Sequence, residues 1–133
     1  MRYICRMEKK IITTQEAPEP IGPYSQAVKA GNLLFVSGQV AINPATGNVE
    51  ATDIPAETHQ VMKNLQAILQ AAGTDFNAVV KTTIFLSDMS LFTQVNEVYG
   101  KYFSSSFPAR ETVAVKGLPK NVNVEISMIA SLG

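Results

Sequence analysis

What this chain lacks narrows its chemistry first. It has one cysteine, Cys5, and one histidine, His59, in 133 residues. A lone cysteine closes no internal disulfide, and with a single histidine beside it a Cys/His zinc cluster is arithmetically excluded. No run of clustered carboxylates offers a substitute metal site. An excess of either charge is also missing: eleven basic and eleven acidic residues cancel, which argues against the basic stripe of a strong nucleic-acid binder. No apolar run approaches the ~20 residues that a membrane-spanning helix needs. There is no phosphate loop, no Gly-x-Ser-x-Gly elbow and no dinucleotide fingerprint.

The opening MRYICRM is basic and lacks the apolar core of a secretory signal. It reads either as a frayed terminus over residues 1–8, with Met7 as a candidate start, or as a mitochondrial-targeting segment, with two arginines and no acid. The first reading is preferred here. A single thiol suits a reducing compartment, most simply the cytoplasm.

What is present is the composition of a globular domain, 46% hydrophobic and 17% charged, so residues 1–133 are read as one domain. KKIITT (Lys9 to Thr14) predicts a first strand. Three prolines and a glycine in the following QEAPEPIGPYSQA forbid regular structure. AVKAGNLLFVSGQV predicts a hairpin about Gly31-Asn32, and INPATGN a further turn. Asp53 is a helix cap, Pro55 suits the first turn, and Glu57 suits the positive end of the dipole. Val61, Met62, Leu65, Ile68, Leu69 and Ala72 form one helical face that Gly73 ends. VVKTTIFL (Val79 to Leu86) predicts a strand. Asp88 or Ser90 starts a second helix whose face carries Phe92, Val95, Tyr99, Tyr102 and Phe103. FPARETVAV and VNVEISMIA complete the order β-β-β-α-β-α-β-β. This is an α+β mixed sheet with two helices packed on one face. The other face, with Val79, Phe85 and Ile129, is apolar enough to want a cover, which predicts a homo-oligomer with facing sheets.

Chemistry-bearing residues stand out against that frame. Arg110 behind Pro108-Ala109 offers a rigid fork of donors to a carboxylate; the alternative is a structural salt bridge. Glu125 interrupts an apolar strand, where burial raises a carboxylate's pKa and suits it to carry protons; the alternative is an interfacial ion pair. Tyr24, in the stiff loop GPYSQAV, walls a pocket or packs a corner. Ser37 and Gly38 allow close backbone approach by a ligand, or form a bulge. His59 lies off the apolar face and is expected to be solvated. Asn64 and Asn96 sit on helices where they cap or tie loops, and Asn96 joins the expected substrate-binding set.

In order along the chain, IGPYSQAV, LLFVSGQVAINPATG, the Asn64 helix ending in AAG, VVKTTIFLSDM, VNEVYGKYF, FPARETVAV and LPKNVNVEI resemble the RidA (YjgF) family of reactive-intermediate deaminases. The likeness runs from about Lys9 to Ala130. It implies a chorismate-mutase-like fold, a homotrimer with three sites between subunits, and no metal or cofactor. It also implies hydrolysis of 2-imino acids such as 2-iminobutanoate and 2-iminopropanoate to keto acids and ammonia. The family's essential arginine matches Arg110, its strand glutamate Glu125 and its loop tyrosine Tyr24, and its backbone contacts to substrate match Glu111 and Thr112. Two departures follow. Glu111-Thr112 replaces a common Ser-Cys, adding a charge next to the anion site, and Ser127 stands where many members have a second glutamate. A ligand-sensing regulatory protein for keto acids is the rival reading, and an RNA-cleaving translation inhibitor a weaker one.

Overall fold

The computed structural model describes residues 8–133; the expectations for the opening segment and for Cys5 lie outside the described residues. Strand β1 (Lys9–Ile12) is two residues shorter than the predicted Lys9 to Thr14. The loop after it leaves the sheet because Gln26 holds it by its backbone. The Gln26 side-chain oxygen accepts from Thr14 N at 2.7 Å, and its amide donates to the carbonyls of Thr14 and Pro18 at 3.0 and 2.9 Å. Strands β2 (Ala27–Ala30) and β3 (Leu33–Gln39) form the predicted hairpin. Gly31 turns it with φ of 61°, a left-handed conformation that glycine adopts without steric cost.

Helix α1 (Ile54–Ala71) starts where its cap residue predicts: Asp53 accepts from Ala56 N at 2.8 Å. Its apolar stripe is buried to completion at Val61, Met62, Leu65, Ile68 and Leu69. Each such side chain contributes about 2 kcal/mol over exposure. Strand β4 (Val79–Leu86) follows. Asp88 caps a single tight turn, accepting from Ser90 N at 2.8 Å, and that turn runs straight into α2 (Phe92–Gly100). Strands β5 (Ala109–Ala114) and β6 (Val124–Ser131) complete the chain.

The six strands form one sheet in the order β1-β2-β3-β6-β4-β5. All neighbours are antiparallel except β4 and β5, which run parallel with α2 between them. The last strand in sequence is therefore central in space. On one face Val124, Ile126, Met128 and Ala130 are buried, and α1 packs there over β3 and β6 and against α2. The mixed α+β architecture with two helices is as expected.

One face assignment fails. Val79, expected on the uncovered face, is in the core. A register shift between Val79 and Lys81 inserts an extra residue into β4, so strict alternation breaks there and Val80 turns outward instead. The uncovered face otherwise reads as predicted: Phe35 pairs with Ile129, and Phe85 pairs with Val113 and Glu125, in cross-strand rows. Phe35 is 44% exposed and Val113 43%. Among the described residues no helix is long and apolar enough to cross a membrane.

Candidate functional site

Arg110 is the second residue of β5 and pairs in register with Thr82, whose side chain is in the core. Its side chain therefore lies on the helix-facing side, under α2. There Nη1 donates to Asn96 Oδ1 at 2.7 Å, and the guanidinium carbon lies 5.1 Å from the Tyr99 ring centre and 5.6 Å from that of Phe92. Phe92, Asn96 and Tyr99 are spaced by four and three residues, one stripe of a helix. Tyr99 is fixed in turn by its hydroxyl, which donates to Thr82 Oγ1 at 3.0 Å. Burial holds the Tyr99 phenol above its usual pKa, against smaller opposing effects of Thr82 and Arg110, so it stays neutral. No carboxylate among the described residues pairs with Arg110; the one ion pair there joins Lys81 to Glu111. A cation held by a neutral amide and two ring faces keeps its outward fork for an anion. It opens into a cleft of about 360 Å³ lined also by Gly100, Phe107 and Pro108.

Glu125 lies on the opposite face of the sheet. It pairs with Phe85, two strands from β5. Its carboxylate accepts no hydrogen bond among the described residues, and burial alone raises its pKa above the ordinary carboxylate value. The backbone beneath it is anchored from the helix side. Glu57, buried at the start of α1, accepts from Asn123 N at 2.7 Å, Val124 N at 2.8 Å and Asn123 Nδ2 at 3.0 Å. Beside Glu125, β3 bulges between Val36 and Gln39. The bulge turns the Ser37 hydroxyl to donate to Ser25 O at 2.6 Å, while Ser37 N donates to Gln26 O at 2.9 Å. These bonds tie the strand to the loop that carries Tyr24, which is closed by Tyr24 N donating to Gly22 O at 2.8 Å. Tyr24, Ser37, Gly38 and Glu125 line a cleft of about 350 Å³ with Ile21 and Ile42 as its apolar wall. Asn64 steadies that wall by donating to the carbonyls of Val40 and Ile42 at 3.1 and 2.9 Å.

The expected residues thus fall into two clefts. Tyr24, Ser37, Gly38 and Glu125 converge on one face; Asn96 and Arg110 converge on the other. Of the alternatives posed for Ser37-Gly38, the strand does bulge there, and the group that lies against Gly38 is the Glu125 side chain. Asn96 uses its carbonyl oxygen to hold the guanidinium, and its amide donates to no side chain or backbone carbonyl among the described residues. Glu111 points away from Arg110. It accepts from Thr83 Oγ1 at 2.6 Å and pairs with Lys81 Nζ at 3.0 Å on the uncovered face. Those two partners, the hydroxyl first, hold its pKa below the usual value. The charge feared beside the anion site is on the other side of the sheet. Thr112 shares the face of Arg110, and its buried Oγ1 has no hydrogen-bond partner. Ser127 pairs with Thr83 on the uncovered face. His59 is not simply solvated, because its Nδ1 lies 2.9 Å from Tyr102 Oη. Sequence reasoning missed Glu57 as a tie across the fold, and missed Phe92 and Tyr99 as the platform under Arg110. Their shared stripe with Asn96 was the available signal.

Fold and clefts define a small α+β protein with an unpaired guanidinium on one sheet face and a half-buried carboxylate on the other. The family model described as Endoribonuclease L-PSP matches residues 14–132. A RutC family protein of Pyrococcus horikoshii is 53% identical over 122 residues, 92% of this chain and 97% of that one. The chloroplastic Reactive Intermediate Deaminase A of Arabidopsis thaliana is 47% identical over 95% of this chain and 67% of its own. The crystal structure of E. coli TdcF with bound serine superposes with a TM-score of 0.88 at 41% identity, covering 92% of this chain and 98% of that one. Other relatives carry regulator and endoribonuclease names. The chain belongs to the RidA, or Endoribonuclease L-PSP, family.

Proposed function

We propose that this protein hydrolyses small 2-imino acids, such as 2-iminobutanoate and 2-iminopropanoate, to 2-keto acids and ammonia. The observation that carries the reading is the Arg110 guanidinium, oriented by Asn96 and free of any carboxylate among the described residues. Support comes from the deaminase name of the Arabidopsis relative and from the serine, a small carboxylate, in the E. coli relative. Arg110 and Glu125 lie on opposite faces of one sheet, so one chain cannot bring both to one small molecule. A homotrimer, with each cleft completed by a neighbouring copy, solves that problem and covers the apolar face.

In the proposed reaction Arg110 takes the substrate carboxylate in two parallel hydrogen bonds. The imine carbon then lies beside a water near Glu125, and Tyr24 walls the cleft. Glu125 accepts a proton as the water oxygen attacks the carbon, and the C=N electron pair moves to nitrogen. The nitrogen takes that proton, giving a neutral carbinolamine. Glu125 then removes the hydroxyl proton and passes it to nitrogen, the C–N bond breaks, and ammonia leaves the keto acid. Orientation and one acid-base group suffice, because imines already hydrolyse in water.

The test couples purified protein to a threonine dehydratase with threonine, and traps residual iminobutanoate with semicarbazide. Wild type should consume the imine far faster than Arg110→Ala; equal rates refute deamination. The rival, a ligand-responsive regulator, finds support in the regulator name of one relative. Its signature would be keto-acid binding without imine turnover. Ribonuclease activity that survives Arg110→Ala would favour the endoribonuclease reading instead.

A further inference from the structure

Gly38 sits in the β3 bulge directly against Glu125. A Cβ built on Gly38 would meet Glu125 Oε2 at 2.8 Å, Cδ at 2.9 Å and Cγ at 3.0 Å. Contacts that short do not persist, so any side chain at this position displaces the carboxylate. The reason for glycine here is not a left-handed backbone, because Gly38 has no positive φ. It is space. The geometry points to Gly38 as a positioning residue: its missing side chain is the slot that receives the Glu125 carboxylate, and the Ser37-Gly38 bulge is what aims that slot. This inference rests on the reading of Glu125 as the proton carrier.

Three features support a slot over an accidental gap. The bulge replaces regular β3–β6 pairing between Val36 and Gln39 next to Glu125, and bulges beside active sites commonly re-aim one group. Ser37 anchors the bulge through its hydroxyl and its amide, so the slot cannot drift from the Tyr24 loop. On the far side Glu57 holds Asn123 and Val124, which fixes the backbone immediately before Glu125. The carboxylate is thus confined by anchors on β3 and α1, although no hydrogen bond reaches its own oxygens among the described residues. Facing it are Phe85 from β4 and Tyr24 from the loop, neither of them charged. Burial therefore governs its proton affinity, and its depth in the slot sets that burial.

The experiment uses the full chain as wild type, Gly38→Ala, Glu125→Ala and the double variant. Glutamate and aspartate side-chain carboxyls are ¹³C-labelled, and the Glu125 signal is assigned by its loss in Glu125→Gln. In Gly38→Ala the carboxylate is pushed toward solvent, so its pKa should fall toward the ordinary value. kcat for iminobutanoate should drop about tenfold, part of the 10²–10⁴ that a placed general base supplies, with KM changed less than about threefold. Glu125→Ala removes Oε2, Cδ and Cγ together, all the atoms that the added methyl meets, so the double variant should be no slower than Glu125→Ala alone. An unchanged Glu125 titration in Gly38→Ala, or losses that multiply in the double variant, overturns the inference. If Gly38→Ala fails to fold, rescue by Glu125→Ala supports it, and failure of that double variant as well places the clash in the backbone and overturns it. Wild type inactive toward imines would sink the deaminase reading alone, since the titration decides the slot independently.

Discussion

Replacing Glu57 by alanine removes the tie between the start of α1 and the start of β6. Glu57 is 5% exposed and Val124 fully buried. Without the carboxylate, Val124 N and Asn123 N lose their acceptor, and the Asn123 amide loses a third bond. A hydrogen bond to a charged group contributes about 1.5–3 kcal/mol, and orphaning a buried donor costs a similar amount. Two backbone bonds give roughly 3–6 kcal/mol. Relief from burying a carboxylate offsets part of that, leaving a net loss of about 3 kcal/mol. For a domain of this size each kcal/mol moves Tm by roughly 3–5 °C, so Tm should fall by about 10 °C. Calorimetry and urea titration at one fixed protein concentration measure it, because assembly would make Tm concentration-dependent. Glu57→Gln is the control: its carbonyl oxygen keeps the bonds from Asn123 N and Val124 N, while its amide meets the Asn123 Nδ2 donor and loses that one bond. It should lose about 1–2 kcal/mol, less than the alanine variant. An alanine variant within about 3 °C of wild type would refute the claim that this carboxylate fastens β6.

Three further outcomes follow from charge and exposure. Burial raises the Glu125 pKa above 4.5, so the acidic limb of kcat/KM should lie above that ordinary value and vanish in Glu125→Gln. The same shift means the folded state holds this proton more tightly than the unfolded one. Wild type should therefore lose stability relative to Glu125→Gln as pH rises from 4.5 through the raised pKa, and the two should converge below 4.5; a difference that grows toward acid contradicts the assignment. On the uncovered face, Phe35→Lys places a charge in the middle of the surface expected to meet another copy. Light scattering should show dissociation with loss of imine turnover, and an active, fully assembled variant would exclude that face as the interface.

Much of this molecule was legible along the chain. The alternation of Val124, Ile126, Met128 and Ala130 marked a strand buried on one side, and α1 declared itself by its stripe and its Asp53 cap, because burial and capping act within a few residues. Arg110 and Glu125 stood out for the same local reason: a charge in an apolar strand is costly unless something uses it. What only the folded chain decided is where those charges lie relative to one another. Alternation tells which residues share a side within their own strand, not which strands become neighbours, so nothing local indicated that Arg110 and Glu125 take opposite faces of the sheet. Bulges defeat alternation outright, as at Val79, since the extra residue is defined only against a partner strand. The bond from Glu57 to Asn123 and the slot at Gly38 belong to the same class: each needs two segments far apart in sequence to meet, and only their packing brings them together.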